Sequence, residues 1–152
     1  MFDIIRAQGI APVPFSFSKL YFLDDVKNRI AKAPNLEEAM KLRNRKILIL
    51  LDEYKEDIGL MKQFSEKSSA AFLIDLGRLI ESNGFKRAVE LAKMRRFLRI
   101  CVKYEVPLVI ASFAKDEFSI RTAHELCHIA GLVGLNYGQA RFGLERLGLY
   151  LG

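Results

Sequence analysis

Cysteine is scarce in this 152-residue sequence, with only Cys101 and Cys127 present. Each falls inside an apolar helical pattern, so the pair makes no disulfide framework and reads as buried free thiols in a reducing compartment. Long hydrophobic runs are missing too. The longest uninterrupted aliphatic stretch, Ile47 to Leu51, is far too short to span a bilayer. The opening residues Met1-Phe2-Asp3-Ile4-Ile5-Arg6 carry neither the basic start nor the apolar stretch of a signal peptide. We therefore expect a cytoplasmic chain with no membrane partner. There is no glycine-rich phosphate loop, no internal repeat and no low-complexity tract. What is abundant is apolar: 51% of residues are hydrophobic, which excludes disorder and predicts one domain over 1–152 with its own core.

The net charge is +6 and the sequence pI about 9.4. Its distribution says more than its size. Between Gly84 and Lys103 lie Lys86, Arg87, Lys93, Arg95, Arg96, Arg99 and Lys103 against the single acid Glu90. Seven bases less one acid leave +6, so this window holds the whole surplus and the rest of the chain balances. Charge focused on one element points to a docking surface for a polyanion.

Strand and helix signals alternate along the chain. Phe2–Arg6 predicts a short strand, and Ala7 to Phe17, with Pro12 and Pro14, a loop. Asp24 to Ala33 predicts a helix stopped near Pro34. Asn35, followed by Glu37 and Glu38, predicts an N-cap and a helix to about Asn44. Ile47–Leu51, Ala71–Leu76 and Leu108–Ala111 predict buried strands, with a helix at Lys55 to Lys67 and a long basic helix over Phe85 to Tyr104. Two helices, Ala123–Val133 and Tyr137–Leu147, close the chain, broken at Gly134. Buried strands alternating with helices mean parallel βαβ units. Four such strands make half a barrel, so the expected fold is α/β: a reduced TIM-barrel-like parallel sheet, or a small open one, with surrounding helices. Such a sheet leaves an open edge for a partner to cover.

On the basic helix, Leu91, Met94, Leu98, Cys101 and Val102 form one predicted apolar stripe, while Arg95, Arg96, Arg99 and Lys103 occupy a neighbouring arc about 100° wide. The bland reading is a solvated face whose cations sit near a helix C-terminus, where the dipole favours them. That accounts for Arg99 and Lys103. It does not account for Lys86 and Arg87 near the helix start, where cations are disfavoured.

Residues 124–128 read His-Glu-Leu-Cys-His and match the helical zinc-protease string, in which two histidines one turn apart hold zinc and the glutamate is general base. The third ligand is wanting, because Gly134 stands where the last histidine belongs and His124 and His128 are the only histidines. Glu145 could complete only a glutamate-type variant. Thr122 and Glu125 instead fit a capping box, which makes the string a helix start without metal. Cys127 lies within the apolar stretch and reads as core rather than nucleophile. Asp52, Asp75 and Ser112 end predicted strands, where α/β sites form, yet polar residues there are more often turns or caps.

Several segments stand in a telling order: Phe72-Leu73-Ile74-Asp75-Leu76-Gly77-Arg78-Leu79-Ile80; Lys93-Met94-Arg95-Arg96-Phe97-Leu98-Arg99 running into Lys103-Tyr104-Glu105-Val106-Pro107-Leu108-Val109-Ile110; Ala111-Ser112-Phe113-Ala114; Ile120-Arg121-Thr122-Ala123-His124-Glu125-Leu126; and Val133-Gly134-Leu135. Together they resemble the component-three protein family of archaeal and eukaryal ribonuclease P. Phe113 stands where the family has a turn glycine, Ala123 where it has proline and His124 where it has a basic residue. The chain is also shorter than usual for the family.

The resemblance implies a metal-free barrel akin to the polymerase-and-histidinol-phosphatase (PHP) fold, and a subunit that helps a catalytic RNA remove 5′ leaders from precursor tRNA. The chemistry then belongs to the RNA, with no catalytic residue and no cofactor on this chain. Its implied partners are ribonuclease P RNA, precursor tRNA and the component-two protein. The RNA-contacting candidates are Lys86, Arg87, Lys93, Arg95, Arg96, Arg99, Lys103 and Arg121, acting by phosphate neutralisation. Two other classes stand beside it: a small zinc hydrolase using His124, His128 and Glu125, and a scaffold whose basic helix binds an acidic protein.

Overall fold

The computed structural model describes residues 1–152, the side chain of Val13 excepted. Its strands are β1 (Phe2–Ile5), β2 (Lys19–Phe22), β3 (Ile30–Ala33), β4 (Leu48–Leu51), β5 (Ala71–Asp75) and β6 (Leu108–Ala111). Its helices are α1 (Leu23–Val26), α2 (Leu36–Leu42), α3 (Ile58–Glu66), α4 (Gly77–Glu81), α5 (Gly84–Lys103), α6 (Ala123–Leu132) and α7 (Tyr137–Leu151). All strand pairing is parallel, in a four-stranded sheet ordered β3-β4-β5-β6 and a two-stranded sheet of β1 and β2. The sheets join where the Phe113 N–H donates to the Ile4 carbonyl at 2.9 Å and the Arg6 N–H to the Ala114 carbonyl at 2.8 Å. Among the described residues, no helix is long and apolar enough to cross a membrane.

Two expectations are corrected. Among the described residues, six strands replace the expected four. Asp24 to Ala33 is not one helix: a single turn, Leu23–Val26, passes through a 3-10 turn at Lys27–Arg29 into β3. The reason lies in pairing. β3 runs in register with β4, Ile30 opposite Leu48 and Ala33 opposite Leu51, which a local helical pattern cannot reveal. Elsewhere the local chemistry acts as expected. The Asn35 side chain accepts from the Glu38 N–H at 3.0 Å and opens α2. Thr122 and Glu125 form a complete capping box at α6, and Asn136 and Gln139 form another at α7.

Successive strand residues face opposite sides, and both sides are covered. Ile49, Leu51, Phe72, Ile74 and Ile110 pack under α2, α3, α5 and α6, in one cluster with Met61, Phe64, Met94, Phe97 and Leu126. Leu48, Leu50, Ala71, Leu73, Val109 and Ala111 turn the other way, toward Ile4, Tyr21, Val26 and the α7 residues Leu147 and Tyr150. The central strands are thus buried on both faces, which is why they read as unbroken apolar runs.

Phe113, where the resembling family has glycine, sits at φ +51°. That left-handed backbone is costly for a bulky residue. The ring is buried at 3% exposure, so its burial and the Phe113–Ile4 hydrogen bond offset the strain. Gly77 allows a tighter approach, for a Cβ there would collide with the Ser112 carbonyl.

Candidate nucleic-acid interface

Helix α5 is bound to the sheet by Met94, Phe97, Leu98 and Cys101, all buried. Phe97 makes an edge contact with Phe72 and a tilted one with Tyr54, each at 5.4 Å between ring centres. The expected apolar stripe therefore shifts around the helix: Phe97 belongs to it and Val102 does not, being 37% exposed. Arg95, Arg96, Arg99 and Lys103 stand exposed on the far side. None of the four joins an ion pair among the described residues.

The other four candidates are split by the structure. Lys93 reaches Glu53 of the β4–α3 segment at 3.5 Å. Lys86 lines a cleft of about 440 Å³ with Asp52, Arg78, Glu81, Glu90 and Lys115, where acids and bases balance. Those two lysines thus lie on the flank of α5 that faces acids. Arg87 and Arg121 come together on the opposite flank, across a cleft of about 260 Å³ between α5 and α6. The Arg87 guanidinium donates to the Ile80 carbonyl at 3.4 Å, and Arg121 donates to the Phe118 carbonyl at 3.2 Å. Arg95 and Arg99 continue that flank along a second cleft of about 160 Å³, beside Val133 and Gly134.

The two histidines of the zinc string lie one turn apart on α6. His124 and His128 place their Nε2 atoms 3.0 Å apart, and the Tyr137 hydroxyl lies 3.0 Å from His124 Nδ1. Glu125, the would-be base, is held by the capping box, accepting from the Thr122 N–H at 2.7 Å. No third His, Cys, Asp or Glu joins the pair among the described residues. Cys127 is buried, and burial pushes its thiol above the ordinary range, as it does for Cys101.

The strand ends hold a buried polar cluster that periodicity alone passes over. Asp3 is fully buried and accepts from the Ser112 N–H at 2.7 Å, the Ser112 hydroxyl at 2.5 Å and its neighbour's Ile4 N–H at 2.8 Å. It staples β1 to the end of β6. Burial raises its carboxyl from 3.8 to about 7, against the lowering effect of the Ser112 bonds. Asp75, also buried, is raised to about 6 by desolvation, partly offset by Arg78. The only sequence signal for Asp3 is an acid inside an apolar strand.

A pH effect on stability follows. The folded state keeps the Asp3 proton to about pH 7, while the unfolded state releases it near 3.8. Stability therefore falls by a few kcal/mol as pH rises through that window. Asp3→Asn preserves the geometry, its oxygen accepting from Ser112 and Ile4 and its NH2 donating to the Ser112 hydroxyl. Thermal melts from pH 4 to 8 should show a flatter decline in the variant and a higher midpoint than the parent at pH 8, with a smaller slope left by Asp75. Parallel pH profiles for the two proteins would remove Asp3 as the cause.

No family model matches the chain. Two curated archaeal homologues are both named ribonuclease P protein component 3. The one from Methanococcoides burtonii is 33% identical over 86 residues, covering 57% of this chain and 35% of that protein. The one from Archaeoglobus fulgidus is 22% identical over 118 residues, covering 78% of this chain and 59% of that protein. The chain thus spans between a third and three-fifths of the lengths of these relatives. Among solved structures, a chain of the cryo-EM structure of archaeal ribonuclease P with mature tRNA matches with a TM-score of 0.65 at 14% identity, over 99% of this chain and 79% of that one. At that identity the likeness establishes the shared fold.

Proposed function

We propose that this chain is a protein subunit of a ribonuclease P, binding its RNA through α5 and assisting that RNA in removing 5′ leaders from precursor tRNA. The observation that carries the reading is the exposed arc of Arg95, Arg96, Arg99 and Lys103 on the helix that holds the chain's entire net charge. Like charges one turn apart repel by a few tenths of a kcal/mol, and RNA phosphates supply the counter-charge that offsets this. Arg87 and Arg121 extend the candidate surface along one flank, while Lys86 and Lys93 face acids on the other. In this reading the protein positions and neutralises phosphate, and bond cleavage belongs to the RNA and its metal ions. The curated homologues' name supports it, as does the likeness in fold. A component-two protein is the proposed neighbour in the complex. The cytoplasm is its proposed setting, supported by the two buried free thiols.

Reconstitution tests the proposal. An archaeal ribonuclease P RNA, with a component-two protein, is assayed on precursor tRNA with and without this chain at low magnesium, where the RNA depends most on protein counter-charge. Faster cleavage in its presence is the expected result, together with RNA affinity that falls steeply with salt. Cleavage indifferent to the chain, with no salt-dependent binding, would overturn the reading.

A further inference from the structure

We infer that the groove between α5 and α6 takes an unpaired stretch of RNA, with bases against its floor and phosphates on its rim, in preference to a duplex. The inference rests on the RNA-binding reading above and specifies which form of RNA this face selects. Its floor is apolar: Leu79, Leu91, Ile129 and Leu132 line the first cleft. Leu132 is 59% exposed, an apolar surface that a solvated charged face would not need. The rim is cationic. Arg87, Arg95 and Arg99 follow one another at multiples of four residues on α5, over about 18 Å of helix. Arg121 stands across the head of the groove.

Beside Arg121 lies Phe118, 91% exposed. The turn presenting it is anchored. Asp116 accepts from both the N–H and the hydroxyl of Ser119 at 2.9 Å, and Lys115 reaches Glu81 at 3.0 Å. Arg121 also donates to the carbonyl of Phe118 itself. An aromatic ring displayed on a fixed turn, three residues before the arginine that rims an apolar trough, is a stacking platform for a base. A phosphate backbone matches the rim in charge, and unstacked bases match the floor. An A-form duplex offers the same phosphates with its bases already stacked inside, so it can use the rim alone.

The test uses the full chain and two probes, a mixed-sequence single-stranded oligoribonucleotide and an A-form RNA duplex of the same length. At one salt concentration the single strand should bind at least about tenfold tighter. Phe118→Ala should weaken single-strand binding by at least about fivefold, the low end of base–aromatic stacking. It should leave both duplex affinity and the salt slope unchanged. Leu132→Ser should act in the same direction. Both side chains are more than half exposed, so the fold should tolerate either change. Equal affinity for the two probes overturns the inference, as does single-strand binding indifferent to both variants. If the variants instead weaken association with a component-two protein while RNA binding holds, the groove is a protein contact and the inference is wrong. In each of these failures salt-dependent RNA binding survives, and with it the broader reading. Absence of any RNA binding would sink both.

Discussion

Replacing Arg95, Arg96 and Arg99 together with alanine should flatten the salt dependence of RNA binding by about two to three in the slope of log K against log salt. Each neutralised phosphate contributes about 0.7 to 0.9 to that slope through counterion release. The three side chains are exposed and take part in no ion pair among the described residues, so their loss removes charge without opening the core. Alanine is also the best helix former, which keeps α5 intact. Precursor-tRNA cleavage by the reconstituted complex should fall with it, most at low magnesium. The control must remove equal charge elsewhere at no structural cost. Arg43 is unsuitable, since its side chain is partly buried, with Nε enclosed. Lys27, Arg45 and Lys46 are exposed and join no ion pair among the described residues, and a triple alanine variant there serves the purpose. If both triple variants weaken binding and cleavage equally, net charge and not this helix is responsible, and the assignment of α5 fails.

The features behind that experiment are not equally legible in the sequence. The cationic arc is, because helical periodicity places side chains around an axis without knowledge of neighbours. The strands β4, β5 and β6 are legible for a related reason, since burial on both faces leaves an unbroken apolar run. The edge elements are not. β2 reads Lys-Leu-Tyr-Phe and β3 reads Ile-Ala-Lys-Ala, four residues each, with no run long enough to favour a strand over a helix. Their state is set by partners distant in sequence. The Asp3–Ser112 staple, spanning 109 positions, is the same case carried further. So is the groove. Arg87 and Arg121 share a cleft only because α6 lies along α5, and the helical wheel of α5 alone cannot assign Arg95 and Arg99 to a trough, or Lys93 to Glu53.

The stripe that binds α5 to the sheet can be tested with a variant that leaves every cation in place. Phe97→Ala should destabilise the fold by about 3–5 kcal/mol, as expected for deleting a fully buried aromatic side chain. Phe97 is 0% exposed and sits between Phe72 of β5 and Tyr54. Phe72 in turn stacks on Phe64 of α3 at 4.3 Å, so the change opens the middle of an aromatic chain running from α5 to α3. For a chain of this length the thermal midpoint should fall by about 6–20 °C. Below that midpoint the folded molecules still carry Arg95, Arg96, Arg99 and Lys103 on an ordered α5, so the salt slope should match the parent's. The two variants therefore have opposite signatures: the arginine triple changes the slope and spares the melt, and Phe97→Ala lowers the melt and spares the slope. A Phe97→Ala protein that melts with the parent would show that α5 is not held by this contact. One whose slope flattens well below its midpoint would show that the cations act only when the helix is clamped in place, which would move the origin of RNA affinity from charge on a helix to the shape of the groove that the helix builds.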